Sequence, residues 1–116
     1  MKLQLTTWQR IVLYQIVGQL RGPVSLVRTA SKLLDVLEMS EADRTEVGYR
    51  ELPNGAATWR DPERRLEIEN ADREAAALLR RTVEQHQEWP AGQARQVLDL
   101  AEQLGLDLDE EGDDDG

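Results

Sequence analysis

Residues 2–20 read KLQLTTWQRIVLYQIVGQL, and this stretch decides the fold because it passes from a strand pattern to a helix pattern within a few residues. Leu3 and Leu5 alternate with polar neighbours, as in a short strand with one buried face. Thr6 and Gln9 then have the spacing of a capping box, which predicts that a helix begins there. Apolar residues occupy more than half of the circumference of this helix, so we expect it to lie at the centre of the domain.

Apolar periodicity predicts two more helices and a helical turn. The first covers residues 24–37, where one face of the helix is apolar. Ser40 is typical of an N-cap and predicts a short helical turn after it. The last helix covers residues 91–104, and Gly105 follows at the position where a helix C-terminus favours glycine.

Between these helices the sequence is typical of a hairpin. Val47 and Tyr49 alternate with polar residues, and the turn signal Pro53-Asn54-Gly55 follows them. This pattern predicts that residues 46–51 pair with residues 56–60.

The segment after the hairpin allows two interpretations. Residues 66–69 read LEIE, and their alternation favours a strand over 65–69, followed by a helix over 71–88 with Asn70 as its N-cap. The alternative is one long helix that begins at residue 62, where Pro would occupy the first helical position.

Length and composition predict one small domain. The chain has 116 residues, of which 40% are hydrophobic, and this length is typical of a single domain with a modest core. We expect an α+β fold in which about four helices pack with a small antiparallel sheet, made of the short N-terminal strand and the hairpin. This domain covers residues 1–104. Residues 105–116 contain seven acids and no apolar periodicity, which predicts a disordered acidic tail.

No motif in the sequence indicates catalysis. The chain has no cysteine, which excludes disulfides, thiolate nucleophiles and Cys-ligated zinc, and His86 is its only histidine. Glu67 and Glu69 suit the solvated face of an edge strand. The acidic run from Asp107 resembles the start of a calcium loop but does not supply the Glu that completes one. We therefore predict a protein that is not an enzyme and has no cofactor and no metal site.

The sequence also predicts a cytoplasmic protein that does not enter a membrane. No apolar run approaches the roughly 18 residues that a spanning helix needs. The first residues carry one positive charge and no cleavage-site pattern, so no secretory signal is predicted. The lack of cysteine is compatible with a reducing compartment.

Charge is unevenly distributed and suggests an interaction surface. The net charge is −9, yet residues 1–34 contain five bases and no acid. Four of these bases are candidate contact residues, namely Arg10, Arg21, Arg28 and Lys32. Trp89 is a further candidate, because a tryptophan outside the core is a frequent interface anchor. Trp8 and Trp59 are expected in the core. These features favour a protein–protein interaction module.

The alternative function is nucleic-acid or nucleotide binding through the basic N-terminal third. The predicted order of helix, turn, short helix and hairpin is that of a winged-helix domain. However, the segment that would enter the DNA groove, residues 41–46, contains three acids and one base. Phosphate contacts dominate affinity for DNA, so binding to duplex DNA is not expected.

The sequence resembles a family of small phage and prophage proteins of uncharacterised function. The resemblance covers residues 2–104. It rests on Lys2-Leu3-x-Leu5-Thr6, on Trp8-x-Arg10 and the helix after it, on the hairpin with Trp59, and on Leu66-Glu67-Ile68-Glu69 with the two helices that follow. The resemblance implies a phage or prophage origin and a setting in the cytoplasm of the infected bacterium. We expect the interaction module to act on a host or phage protein. It implies no catalytic residue.

Overall fold

The N-terminal strand leads directly into the first helix, as the capping box predicts. The computed structural model describes residues 1–70 and 72–106. In it the Thr6 hydroxyl accepts a hydrogen bond from the Gln9 backbone N–H, and the Gln9 side chain accepts one from the Thr6 N–H. The elements are β1 (Lys2–Thr6), α1 (Thr7–Gly18), α2 (Val24–Leu37), α3 (Glu41–Val47), β2 (Arg50–Glu51), β3 (Ala57–Thr58), β4 (Arg65–Glu69), α4 (Arg73–Gln85), a 3-10 turn (Ala91–Gln93) and α5 (Ala94–Gln103).

The α+β fold class is confirmed, and the described residues form two separate two-stranded antiparallel sheets. In the first sheet β1 pairs with β4, in a register that places Leu3 opposite Ile68 and Leu5 opposite Leu66. The strand interpretation of residues 65–69 is therefore correct, and the long helix from residue 62 does not form. The hairpin of β2 and β3 is the second sheet.

The hairpin is shorter than the sequence predicts. Its first arm was expected to begin at residue 46, but α3 extends to Val47 because a capping box at Ser40 secures its N-terminus. Gly48 then ends the helix in the left-handed conformation, at φ +72°. The turn is closed by the Gly55 N–H, which donates to the Leu52 carbonyl, while the Ala56 N–H donates to the Asn54 side chain.

Helix α1 lies at the centre of the core, as expected. It contacts β1, α2, α4 and α5, and its residues Leu13 and Val17 are buried. The core is built almost entirely from aliphatic side chains of β1, β4 and four of the helices. Its fully buried large members are Leu3, Leu5, Leu13, Leu33, Leu37, Leu79 and Leu100.

Two helix ends differ from the predictions. Helix α4 is capped by Asp72, whose carboxylate accepts from the Glu74 and Ala75 N–H groups. Asn70 is unavailable as the N-cap because it continues the strand pairing, where its N–H donates to the Met1 carbonyl. The helix ends at Gln85 instead of residue 88, since His86 adopts extended backbone angles.

The C-terminal end of α5 follows the prediction for glycine. Gly105 has φ +75°, and its N–H donates to Glu102 while the Leu106 N–H donates to Ala101, which is a Schellman motif. Leu106 packs against the core, so the structured part of the chain extends to residue 106 instead of 104. The predicted disorder of the acidic tail concerns residues 107–116, which lie outside the described residues.

The tryptophans are not core residues. Trp8 and Trp59 were expected in the core, but both are half-buried, and Trp89 is half-buried at the core's edge. The leucines of the helices fill the interior without them. Among the described residues, no helix combines the length and apolar character needed to span a membrane.

Candidate interaction groove between helix α3 and the hairpin

A groove of about 690 Å³ lies between α3 and the β2–β3 hairpin. Three arginines and two aromatic residues line it, together with smaller polar residues and Glu41. We call it the arginine groove and define it by Arg44, Arg50, Arg60, Tyr49 and Trp59. All three arginines are exposed, whereas both aromatic side chains are half-buried. The charged groups of the groove are therefore open to solvent, whereas its aromatic side chains are partly enclosed by neighbouring residues.

Arg44 is oriented towards the groove by its contact with Tyr49. The guanidinium carbon lies 5.2 Å from the centroid of the Tyr49 ring, within cation–π range. The Tyr49 N–H also donates to the Arg44 carbonyl at 2.8 Å, so the backbone brings the two residues together. One face of the groove is thus held in a defined geometry.

Two of the three acids of α3 are engaged outside the groove. Asp43 closes the capping box with Ser40, and its carboxylate lies 3.2 Å from Arg10 Nη2. Glu46 forms an ion pair with Arg64. Glu41 is the third acid, and it lines the groove. The groove as a whole therefore holds three arginines and one acid, although residues 41–46 as a segment are acidic.

Arg60 reaches the groove because the hairpin approaches α3 closely. The Arg60 N–H donates to the Val47 carbonyl at 3.0 Å. A Cβ atom at Gly48 would lie 2.7 Å from the Arg60 Cβ, which is closer than real side chains tolerate. Gly48 is therefore required both for its positive φ and for this approach. Across residues 1–70 and 72–106, neither Arg44, Arg50 nor Arg60 forms an ion pair with an acid.

A smaller depression of about 220 Å³ continues from the arginine groove on the other side of Arg44 and Tyr49. Its walls come from α1 and from the corner between α2 and α3, and they include Ile11, Tyr14 and Met39. Tyr14 is 39% exposed. The combined surface therefore places a basic region beside an apolar one.

Arg10, the first of the candidate contact residues, has a structural role. It is only 6% exposed. Its Nε donates to the Leu37 carbonyl at 2.7 Å, and its Nη2 donates to the Glu38 carbonyl at 2.9 Å. A guanidinium at the C-terminal carbonyls of α2 complements the helix dipole. Arg10 thus fixes the corner between α2 and α3 and is not part of an exposed patch.

The other four candidate residues lie in three different places. Arg28 and Lys32 line one groove between α2 and α4, where Lys32 Nζ lies 2.9 Å from Asp72 Oδ2. Arg21 is exposed in the segment after α1. Trp89 makes an edge-to-face contact with His86, with ring centroids 4.6 Å apart. The structure therefore does not bring these residues together into one site.

The acids with perturbed titration serve the fold. The hydrogen bond from Lys32, followed by those from the α4 N-terminus, lowers the pKa of Asp72 against the opposing effect of burial. Burial also works against ionisation of Asp99, but hydrogen bonds from Gln9, Arg65 and Gln103 outweigh it and keep the Asp99 pKa below its ordinary value. Neither carboxylate lines the arginine groove.

The chemistry of the groove is that of its charged and aromatic side chains. No group of three or more His, Cys, Asp or Glu side chains with metal-binding geometry occurs in the part of the chain that the structure describes. His86 contacts Trp89. Both residues follow α4 in the chain, whereas the groove residues precede it. What the groove offers is three guanidinium groups, each able to make paired hydrogen bonds to a carboxylate or phosphate.

Sequence reasoning missed this groove because it summed charge along the chain. Residues 41–60 contain four acids and three arginines, so the segment appears weakly acidic. A usable signal was the interleaving of Tyr49 and Trp59 with Arg44, Arg50 and Arg60. That signal becomes decisive only once Asp43 and Glu46 are known to be paired elsewhere.

Comparison of the chain with protein-family models, with curated proteins and with solved structures gives no match. A functional assignment must therefore start from the chemistry of the groove.

Proposed function

We propose that this protein is a non-enzymatic protein–protein interaction module that binds an acidic segment of its partner in the arginine groove. The observation that carries the proposal is the presence of three arginines, a tyrosine and a tryptophan on one concave surface. Arg, Tyr and Trp are the residue types that dominate binding energy at protein interfaces. An acidic partner is favoured because the arginines have no acidic partner within residues 1–70 and 72–106.

The shape of the surface supports a more specific description of the partner. Carboxylates would pair with Arg44, Arg50 and Arg60, while an apolar side chain next to them would enter the depression beside Tyr14 and Met39. The partner segment should therefore combine two or more acids with a neighbouring apolar residue. Burial of that apolar group would add about 25 cal/mol per Å² of apolar surface removed from water.

Preorganisation of the groove also supports the proposal. Arg10 and the Ser40 capping box hold α3 against α2, and the Gly48–Arg60 approach holds the hairpin against α3. A surface whose elements are already fixed loses less conformational entropy when a partner binds.

The setting of this interaction comes from the resemblance to phage and prophage proteins. On that basis we propose a phage-encoded module that acts in the cytoplasm of an infected bacterium, with a host or phage protein as its partner.

The second candidate function is nucleic-acid or nucleotide binding, now through the arginine groove instead of the N-terminal third. The N-terminal third supports it less, because Arg10 and Lys32 are paired with Asp43 and Asp72. The arginine groove supports it more, because arginines beside aromatic rings also bind single-stranded nucleic acid. Duplex DNA stays an unexpected ligand, since α3 spans only seven residues and would be the recognition helix.

The two candidates are separated by affinity capture from a bacterial lysate with tagged protein. We compare the wild-type chain, the groove variant Arg44→Glu/Arg60→Glu and the control variant Arg73→Glu/Arg95→Glu, which makes the same charge change at exposed positions outside the groove. The proposal expects a set of proteins that the wild type and the control retain after nuclease treatment and that the groove variant loses at least tenfold, which corresponds to about 1.4 kcal/mol of binding free energy.

Two results would contradict the proposal. If the groove variant retains the same proteins as the wild type, the groove is not the contact surface. If nuclease treatment removes the captured proteins, or if nucleic acid itself is captured through the groove, the second candidate is correct. Circular dichroism of all three proteins checks that the substitutions leave the fold intact.

A further inference from the structure

Helix α4 carries a second basic surface, remote in sequence from the arginine groove. Two adjoining depressions share Ala77 and Arg81 of this helix. One, of about 580 Å³, extends towards α2 and is lined by Arg28 and Lys32. The other, of about 500 Å³, extends towards the end of α5 and is lined by Arg80. We call this continuous surface the α4 track and define it by Arg28, Lys32, Arg80 and Arg81.

Positive charge predominates along the α4 track. All four basic residues are exposed, and only Lys32 pairs with an acid, Asp72, among the residues that the structure describes. The acids that line the two depressions are Glu74 and Glu84. A ligand that complements the track should therefore be acidic.

The described chain ends directly on this track. Gly105 and Leu106 line the same depression as Arg80. The Arg80 Nη2 atom lies 4.0 Å from the position that a Cβ on Gly105 would occupy. The Leu106 N–H is fixed to the Ala101 carbonyl at 3.0 Å, so the point at which the chain continues is well defined. The last described residue, Leu106, therefore lies in the same depression as Arg80 and Arg81.

The sequence that continues from this point complements the track. Residues 107–116 contain seven acids and no base. Ten extended residues reach up to about 33 Å, at roughly 3.3 Å for each residue. A tethered segment of this length has an effective concentration near its site that a separate molecule would match only at about millimolar concentration.

We propose that residues 107–116 bind to the α4 track as an intramolecular acidic ligand, with their carboxylates paired to Arg80 and Arg81 and, further along, to Arg28. This inference does not rest on the proposed function, because it concerns another face of the molecule. It assigns a role to the basic residues of α2, which the arginine groove leaves unexplained.

The test uses the full chain with a single spin label. Because the sequence has no cysteine, the substitution Gly116→Cys allows a nitroxide to be attached at one position only. The loss of amide peak intensity in nuclear magnetic resonance spectra, relative to the reduced label, then reports which residues the end of the segment approaches. We expect the largest loss on α4 and the facing part of α2, including Arg28, Ala77 and Arg81.

Salt and charge reversal provide the controls. Raising the ionic strength to about 1 M shortens the Debye length to about 3 Å and should restore the intensities. The substitutions Arg80→Glu/Arg81→Glu should also restore them, whereas Arg44→Glu/Arg60→Glu should not. If the charge reversal disturbs the fold, Arg80→Gln/Arg81→Gln makes the same test without new acids.

Three results would overturn the proposal. The loss of intensity could occur at the arginine groove, which would make that groove the site for the segment. It could be confined to the residues next to Leu106, or it could persist at high salt. Any of these outcomes shows that the acidic segment does not bind to the α4 track.

Discussion

The core and the region of α3 with the hairpin are held together by different forces. In the core, β1, β4, α1, α2, α4 and α5 bury a continuous cluster of aliphatic side chains. In residues 41–60, which we call the outer lobe, Val47 is the one buried hydrophobic residue, and it lies outside that cluster. The outer lobe is attached to the rest of the chain by the ion pairs of Asp43 with Arg10 and of Glu46 with Arg64, while the hydrogen bond from the Arg60 N–H to the Val47 carbonyl holds its hairpin against α3. The proposed binding surface thus lies where directed polar contacts, and not apolar burial, determine the structure.

The largest expected effect is the loss of a core leucine. Leu13→Ala should reduce the free energy of unfolding by about 2–5 kcal/mol, because its side chain is fully buried at the centre of α1. Leu52→Ala in the hairpin is the matched variant in the outer lobe. Its side chain is 41% exposed, so the change should be within about 0.5 kcal/mol. Urea denaturation measures both, and equal losses would refute the distinction between the two regions.

The second effect tests the connection between the regions. Arg10→Met keeps much of the buried volume but leaves the Val36, Leu37 and Glu38 carbonyls without their shared donor. We expect the free energy of unfolding to fall by about 2–3 kcal/mol, because buried carbonyl groups that lose a charged hydrogen-bond donor are costly to leave unpaired. Arg10→Lys retains the charge but not the planar fork, so it should recover only part of the stability. An Arg10→Met variant that is as stable as the wild type would show that other contacts attach the outer lobe.

The third effect isolates the close approach of the hairpin. Gly48→Ala and Gly55→Ala both place a side chain at positive φ, which costs about 1–2 kcal/mol. Only at Gly48 does the new Cβ also meet Arg60, since nothing lies within 4 Å of a Cβ at Gly55. Gly48→Ala should therefore be the more destabilising of the two, and it should also weaken capture by the arginine groove. Thermal unfolding and the capture assay test this prediction. Equal losses of stability in the two variants would mean that the hairpin shifts away from the new Cβ atom with little loss of free energy.

The smallest expected effect concerns stability at acidic pH and arises from Asp99, which lies outside the outer lobe. The pKa of Asp99 is lower in the folded chain than its ordinary value of 3.8. A group with a lowered pKa stabilises the fold above its unfolded pKa and loses that contribution as the pH falls through the folded pKa. Stability should therefore decline below about pH 4 by about 1 kcal/mol or less from this group, because Arg65 and Asp99 are partly exposed.

The matched variant for this prediction is Asp99→Asn, which keeps the shape of the side chain and removes its charge. Urea denaturation at pH 7 and at pH 3 should show a smaller decline for the variant than for the wild type. An identical decline in both proteins would assign the acid sensitivity to Asp72 or to other carboxylates.

Local patterns predicted most elements of the fold because their determinants are close in sequence. The Thr6 capping box, the periodicity of α2 and the glycine after α5 each depend on residues within a few positions of one another. The start of α4 was wrong by two residues, because Asn70 and Asp72 differ little in intrinsic preference as N-caps. The start of the hairpin was wrong because α3 continues to Val47.

The candidate site could not be predicted in the same way, because it depends on which charges are neutralised at a distance. Arg10 appeared to be a surface base until its side chain proved to bind carbonyls about 27 residues further along the chain. Lys32 likewise appeared to be an unpaired surface base, but it forms an ion pair with Asp72. Conversely, Arg44 gained a role because Arg10 and Arg64 engage the acids on either side of it. Such pairings are set by the fold and leave no local pattern.

The pairing of β1 with β4 also governs how the chain can acquire its structure during synthesis. Strand β1 leaves the ribosome well before β4, since Glu69, the partner of Lys2, lies 67 positions after it. Three helices and a hairpin emerge in between. Contacts of such long sequence separation form slowly because a large loop must be closed first. In the nascent chain Leu3 and Leu5 therefore lack their cross-strand partners Ile68 and Leu66 until β4 has been synthesised, and this interval is when chaperones would have the greatest opportunity to bind them.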